Sequence, residues 1–227
     1  MSSFSSGAYH TPPVVKNLII INVLVFMAQS LLPNGLGDWI TENLALYFWG
    51  SDHFRVWQLV THMFLHGSVS HLFFNMFSLW MFGRTLEYDL GGRRFLTFYI
   101  ITGIGAALFY MLTNWVEITH QQALLTDMSG AGAILSRMIN TSMAGASGAI
   151  YGVLLGFGMM HPNVRIMLLF PPIPMRAKYF VIIFMVIELL MGLSGPGDGI
   201  AHFAHVGGML WAFLLLRYWK RTNKIFY

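Results

Sequence analysis

A serine hydroxyl becomes a nucleophile when an imidazole stands within hydrogen-bond reach to take its proton. One serine and one histidine in this sequence have settings that fit such a pairing. Ser147 heads a run of glycines at four-residue spacing, Gly148, Gly152 and Gly156, and His205 precedes a second small-residue pair, Gly208 and Ala212. Small residues at this spacing form ridges along which two helix backbones approach closely. Ser147 lies one residue before its ridge and His205 three residues before its own, so pressing the ridges together brings hydroxyl to imidazole. Tyr151, at i+4 from Ser147, shares its face, and its ring is placed to pack on the imidazole. Add backbone N–H groups at a helix start, and the set contains the parts of acyl transfer: nucleophile, general base and oxyanion donors.

The elements that must carry these groups are membrane helices. Hydrophobic residues make up 56% of the 227, charged residues only 10%, and the mean hydropathy is +0.61. A soluble enzyme, a disordered chain and a nucleic-acid binder each need a charged or polar surface that this composition lacks. With no cysteine, disulfides, thiolate catalysis and Cys-ligated metal are excluded. Six segments are long and apolar enough for spans, fewer residues sufficing where an end lies in a protein-lined cavity. They run over residues 15–32, 71–90, 95–115, 147–160, 179–193 and 200–218. The expected fold is an all-α polytopic membrane protein: a short tail (1–14), a six-helix membrane domain (15–219) and a basic tail (220–227). The first span reads as retained, because no small-residue cleavage site follows it.

With both termini in the cytoplasm, the inner segments carry 11 of the 13 Lys and Arg and the outer loops only Arg55 and Arg137. The positive-inside rule sets the orientation on that asymmetry. Counting at about 1.5 Å per residue from the cytoplasmic ends, His71, Ser147 and His205 lie roughly 18–21 Å deep in a core of about 30 Å. Three polar side chains on three helices therefore share one layer, below the outer surface. All three helices enter from outside, so their N-terminal N–H groups converge there. No carboxylate lies at that depth on these helices, which reads as a Ser/His dyad without an orienting acid. The first outer loop, 33–70, holds Trp39, Tyr47, Trp49 and Trp57, rings that favour the headgroup interface. The loop over 116–146, rich in Gly, Ala, Ser and Thr, reads as mobile.

Plainer roles compete for the same residues. Gly-Ala-Ser-Gly is common helix packing, and His71 with Asn75, at i, i+4, could be a structural hydrogen-bonded pair. His62, His66 and His71 suggest a metal site only weakly, since no glutamate completes a zinc-protease pattern. His202 reads as nearer the surface than His205. Glu188, about 15 Å deep by helical rise, is a hydrogen-bonded structural acid or part of a proton path. The shared depth, with small-residue contacts beside it, favours the catalytic reading.

The order and spacing of several pieces resemble the rhomboid intramembrane serine proteases. These are Trp57-Gln-Leu-Val-Thr-His-Met-Phe-Leu-His66-Gly, His71-Leu-Phe-Phe-Asn75, Gly83-Arg-Thr-Leu-Glu87, Gly145-Ala-Ser147-Gly148 with Tyr151, and Ala204-His205-Val-Gly-Gly208. By that resemblance Ser147 is the nucleophile and His205 its base, while His71 and Asn75 help bind the oxyanion with the Ser147 N–H. The fifth helix acts as a lateral gate, the first outer loop as a membrane-embedded support, and Gly83 to Glu87 as a structural corner. Gln58 stands where many members carry Arg, and Ala212 where the last Gly is usual. The resemblance implies a serine endopeptidase that cuts transmembrane protein substrates near the outer face. It would sit as a multi-pass protein in a bilayer, a bacterial inner membrane, with no cofactor, metal or nucleic acid. The alternatives are an inactive rhomboid-like client-binding protein and, on the buried His and Glu188, a small transporter; the lack of internal repeats weighs against the latter.

Overall fold

The computed structural model describes residues 10–33, 35–125, 128–167, 173–193 and 202–222. Most of both terminal tails and the start of the expected sixth span at Ile200 lie outside the described residues. Helix α1 (Pro13–Leu31) begins with proline in its first turn, where the missing N–H is no loss. No neighbouring side chain caps it. The cap is the buried carboxylate of Glu87, which accepts from Val14 N at 2.9 Å and Val15 N at 2.7 Å. The corner expected around Gly83 to Glu87 thus works by joining two chain segments 72 residues apart.

The segment 33–70 folds into α2 (Leu36–Leu44), α3 (Gln58–Thr61) and a 3₁₀ turn (His62–Phe64). Gln58, fully buried, holds it together. Its Oε1 accepts from Arg55 N at 3.0 Å and Tyr47 N at 3.4 Å, and its Nε2 donates to the carbonyls of His53 at 3.0 Å and Asn43 at 3.3 Å. A neutral amide makes bonds to both donors and acceptors, which a guanidinium could not.

The segment expected as the second span is α4 (Val69–Ser78), a single π turn (Leu79–Gly83) and α5 (Arg84–Leu90) in succession. Ser68 caps α4 by accepting from His71 N at 3.1 Å. Helix α6 (Gly92–Leu124) runs 33 residues, about 50 Å by helical rise, beyond the Trp115 end expected for the third span. Together with α7 (Ala131–Asn140) it occupies much of the stretch read as a mobile loop. Residues 116–124 include Glu117, Gln121, Gln122, Ala123 and Leu124, good helix formers that the bias toward small polar residues masked.

Helix α8 (Ser147–Met160) ends at His161-Pro162, as proline requires. A two-stranded antiparallel hairpin, β1 (Arg165–Met167) and β2 (Pro174–Arg176), follows, with Arg165 opposite Arg176. Its three-residue strands are too short for a sequence signal. Then come α9 (Ala177–Leu193) and α10 (His202–Arg221).

The centre is α6, α8 and α10, packed through glycines. A Cβ on Gly152 would lie 2.8 Å from Thr102, one on Gly156 2.8 Å from Leu86, and one on Gly148 2.5 Å from Ala106. The α8 ridge thus packs on α6 and α5 as well as on α10, which it meets backbone to backbone where Gly148 touches Gly208. The ridge therefore serves α6 and α5 in addition to the α10 contact expected from the spacing. A four-residue repeat gives glycine a close neighbour without saying which helix supplies it. Phe95, Phe98 and Tyr99 fill the core, while Ile20, Leu24, Ile182, Val186 and Leu190 are exposed. Apolar residues both inside and outside mark a helical bundle solvated by lipid. Among the described residues, α1 and α6 are long and apolar enough to cross a bilayer, and α8 is a shorter apolar helix.

Candidate active site

Ser147 is the first residue of α8, and His205 lies in the first turn of α10. Their helices touch backbone to backbone one residue beyond the serine, at Gly148 and Gly208. His205 Nε2 lies 2.8 Å from Ser147 Oγ. The Tyr151 ring stacks on the imidazole, with centroids 4.2 Å apart and planes 6° apart, the contact predicted from the i+4 spacing.

The other face of the imidazole corrects the expectation of a dyad lacking an acid. His205 Nδ1 lies 2.8 Å from Glu188 Oε2. Glu188 is buried on α9; its Oε2 also meets His202 Nδ1 at 2.7 Å, and its Oε1 accepts from Tyr151 OH. A carboxylate only accepts, so the bond assigns a proton to His205 Nδ1 and leaves the Nε2 lone pair facing the serine hydroxyl. Helical rise along α9 puts Glu188 about one turn short of the layer, and the carboxylate comes from a helix other than those that carry His71, Ser147 and His205. His202, read as nearer the surface, is buried and belongs to the same cluster.

His71 approaches the serine beside Gly145. A Cβ on Gly145 would lie 2.9 Å from His71 Nε2 and 3.6 Å from Ser147 Oγ. Gly145 has φ +139°, a backbone conformation that side chains rarely adopt. Its N–H donates to the His62 carbonyl at 2.9 Å, and Leu46 and Met143 exchange backbone bonds of 2.9 and 2.8 Å. The segment 33–70 therefore braces the approach to Ser147. Asn75, one turn along α4 from His71, is buried with its Nδ2 lacking a hydrogen-bond partner. A buried amide donor with no partner is uncommon in folded proteins, and it is available to a bound group.

His62 donates from Nδ1 to the Gln58 carbonyl at 2.8 Å, and burial, partly offset by that bond, lowers its pKa to about 4. His66 packs edge-on against the His71 ring at 5.0 Å. Burial, reinforced by the nearby His71, lowers its pKa to about 4 as well. Both rings are thus neutral supports, not proton carriers, at neutral pH.

Among the described residues, the group with metal-ligand potential is Glu188, His202 and His205, whose ligand atoms lie within 4.8 Å of one another, and not the His62, His66 and His71 set. Two of its separations are 2.7 and 2.8 Å. Ligands about 2.0–2.1 Å from a tetrahedral zinc would stand farther apart than that, so the cluster fits shared protons and not an ion.

The family model of the Rhomboid domain matches residues 53–221. The chain is 30% identical over 220 residues to rhomboid protease AarA of Providencia stuartii, an overlap covering 91% of this chain and 71% of that protein. It is 26% identical over 212 residues to RHOMBOID-like protein 12, mitochondrial, of Arabidopsis thaliana, covering 93% and 59% respectively. Rhomboid protease GlpG of Yersinia pseudotuberculosis is 26% identical over 190 residues, covering 81% and 57%, so this chain spans little more than half the length of the last two. With a helical bundle solvated by lipid and a serine bonded to a histidine at its heart, the chain belongs to the rhomboid family of intramembrane serine proteases.

Proposed function

We propose that this protein is an active endopeptidase that hydrolyses peptide bonds of transmembrane protein substrates near the outer face of the membrane, with Ser147 as nucleophile and His205 as general base. The observation that carries this reading is the 2.8 Å approach of His205 Nε2 to Ser147 Oγ. An inactive, client-binding relative has no need of that pair, and the family match leaves no support for a transporter.

In the proposed reaction His205 Nε2 takes the Ser147 proton as Oγ attacks the substrate carbonyl. Negative charge develops on the carbonyl oxygen, where the Ser147 N–H at the α8 N-terminus, His71 and Asn75 donate hydrogen bonds. The imidazolium then protonates the leaving amine, and water, activated by the same histidine, hydrolyses the acyl-enzyme. No cofactor or metal enters these steps. A spanning substrate hides its carbonyls in helical hydrogen bonds, so helix-weakening residues make cleavage less costly.

Six spans with both termini in the cytoplasm, in a bacterial inner membrane, place Ser147 toward the outer leaflet. α9 serves as the lateral gate, and the segment 33–70 as a support in the headgroup region. The test is purified protein in lipid vesicles with a single-span substrate, the cut bonds mapped by mass spectrometry. Cuts in the outer third of the span, absent from Ser147→Ala, are expected. Cuts in the inner half would overturn the orientation, and no cuts in any substrate would favour the client-binding role.

A further inference from the structure

We infer that Glu188 is a positioning residue for catalysis: carried on α9, it holds His205 in the tautomer and orientation that aim Nε2 at Ser147. The inference rests on Ser147 and His205 being the reacting pair, and it adds a third member from a helix that carries neither.

Three helices meet at one carboxylate. Glu188 on α9 receives the Tyr151 hydroxyl of α8 on Oε1, and His202 and His205 of α10 on Oε2 at 2.7 and 2.8 Å. A buried carboxylate is expensive unless it is hydrogen-bonded, and here three donors reach its two oxygens. The chain Ser147 Oγ, His205 Nε2, His205 Nδ1, Glu188 Oε2 is continuous, with both linking distances 2.8 Å. Stacking on Tyr151 restrains the imidazole plane, but a half-turn about the Cβ–Cγ bond leaves that plane unchanged and exchanges the ring's edges. The bond to Glu188 is what selects the rotation and the tautomer. When Ser147 loses its proton to Nε2, the imidazolium carries two N–H groups and the Nδ1–H stays on the ring facing a negative oxygen. Glu188 itself gains no proton, which is the part an acid plays in a serine triad.

Glu188→Gln keeps the volume but offers an amide. The NH2 can donate to Nδ1, moving the ring proton to Nε2 and removing the lone pair that Ser147 requires. The test measures two rates for wild type, Glu188→Gln, Glu188→Asp and His205→Ala in the same lipid. One is cleavage of a spanning substrate; the other is labelling of Ser147 by a small mechanism-based serine reagent, which needs no parting of helices. Glu188→Gln is expected to slow both by on the order of 10²–10⁴ per folded molecule, with KM little changed, and Glu188→Asp to recover part of the loss. Labelling within threefold of wild type in Glu188→Gln, while His205→Ala fails to label, overturns the inference and spares the Ser147/His205 pair. Normal labelling in His205→Ala would instead overturn the pair. Should Glu188→Gln not fold, nitrogen-15 NMR of the wild type decides, with His205 assigned by its absence in His205→Ala. A neutral ring protonated on Nδ1, its proton strongly downfield, supports positioning by Glu188, and a ring protonated on Nε2 overturns it.

Discussion

A Cβ on Gly208 would lie 1.9 Å from the carbonyl oxygen of Gly148, so α8 and α10 cross with backbone against backbone beside Ser147. Neither partner in that contact can yield, because one is a carbonyl within a helix and the other a Cα. Gly208→Ala must therefore push the helices apart, at roughly 1–3 kcal/mol of stability. The displacement falls between the nucleophile and the base. Ser147 labelling per folded molecule is expected to drop at least tenfold, on the order of what a 1 Å misplacement produces. Wild-type labelling in a folded Gly208→Ala protein would show that the crossing does not set the Ser147–His205 distance.

His71 and Asn75 are expected to act on rate and not on binding. Asn75 Nδ2 has no partner in the free protein, so Asn75→Ala removes no existing bond of that atom and leaves stability nearly unchanged. If the amide meets the developing oxyanion, kcat falls by about 10²–10³ with KM unaltered, and His71→Ala behaves similarly. Melting temperature, kcat and KM measured together decide the matter. A lower melting temperature with normal kcat would make the two residues a structural pair.

How much of this was legible in the sequence depended on whether a signal was local. Proline after His161, the small residues at four-residue spacing and the i+4 step from Ser147 to Tyr151 are rules of a single helix, and they marked where α8 ends and which side chain stacks on His205. The partner of each glycine was not legible, because spacing says only that something approaches closely; the atoms nearest a Cβ on Gly152 belong to Thr102 of α6. Glu188 was missed as a partner of His205 for a related reason. Helical rise measures depth along one axis, yet α9 can bring a side chain one turn away into contact through its own length. The cap that Glu87 places on α1 spans 72 residues, and no local rule reports it.

That cap predicts a separation of stability from chemistry. Glu87→Ala leaves the N–H groups of Val14 and Val15 without the carboxylate that now receives them. Lost caps and charge-assisted bonds of this kind each contribute on the order of 1–3 kcal/mol. The melting temperature should fall clearly, while Ser147 labelling per folded molecule stays within about twofold of wild type, since no bond of Glu87 reaches the site. Unchanged melting would show that the cap adds nothing to the stability of the bundle.

Acid should loosen the segment that braces Ser147. His62 has a pKa of about 4 folded, against 6.5 as the ordinary value, because burial penalises its charge. The unfolded chain therefore binds a proton at a pH where the folded chain does not. Stability is full above pH 6.5, falls as pH drops from there toward 4, and levels off below, at up to about 1.4 kcal/mol per pH unit for this group. His66 acts in the same direction. Melting temperatures across that window should fall less steeply for His62→Gln than for wild type. Parallel curves would show that His62 is already protonated when folded.

The most direct test of the Ser147/His205 assignment is turnover of one transmembrane substrate by wild type, Ser147→Ala, His205→Ala and the double variant, purified and reconstituted side by side. Two groups acting as one unit are strongly non-additive, so each single variant should lose activity by on the order of 10⁴ or more and the double variant should be no worse. The wild type should cleave, and all three variants should remain folded. Cleavage by Ser147→Ala at the wild-type rate would contradict the assignment outright.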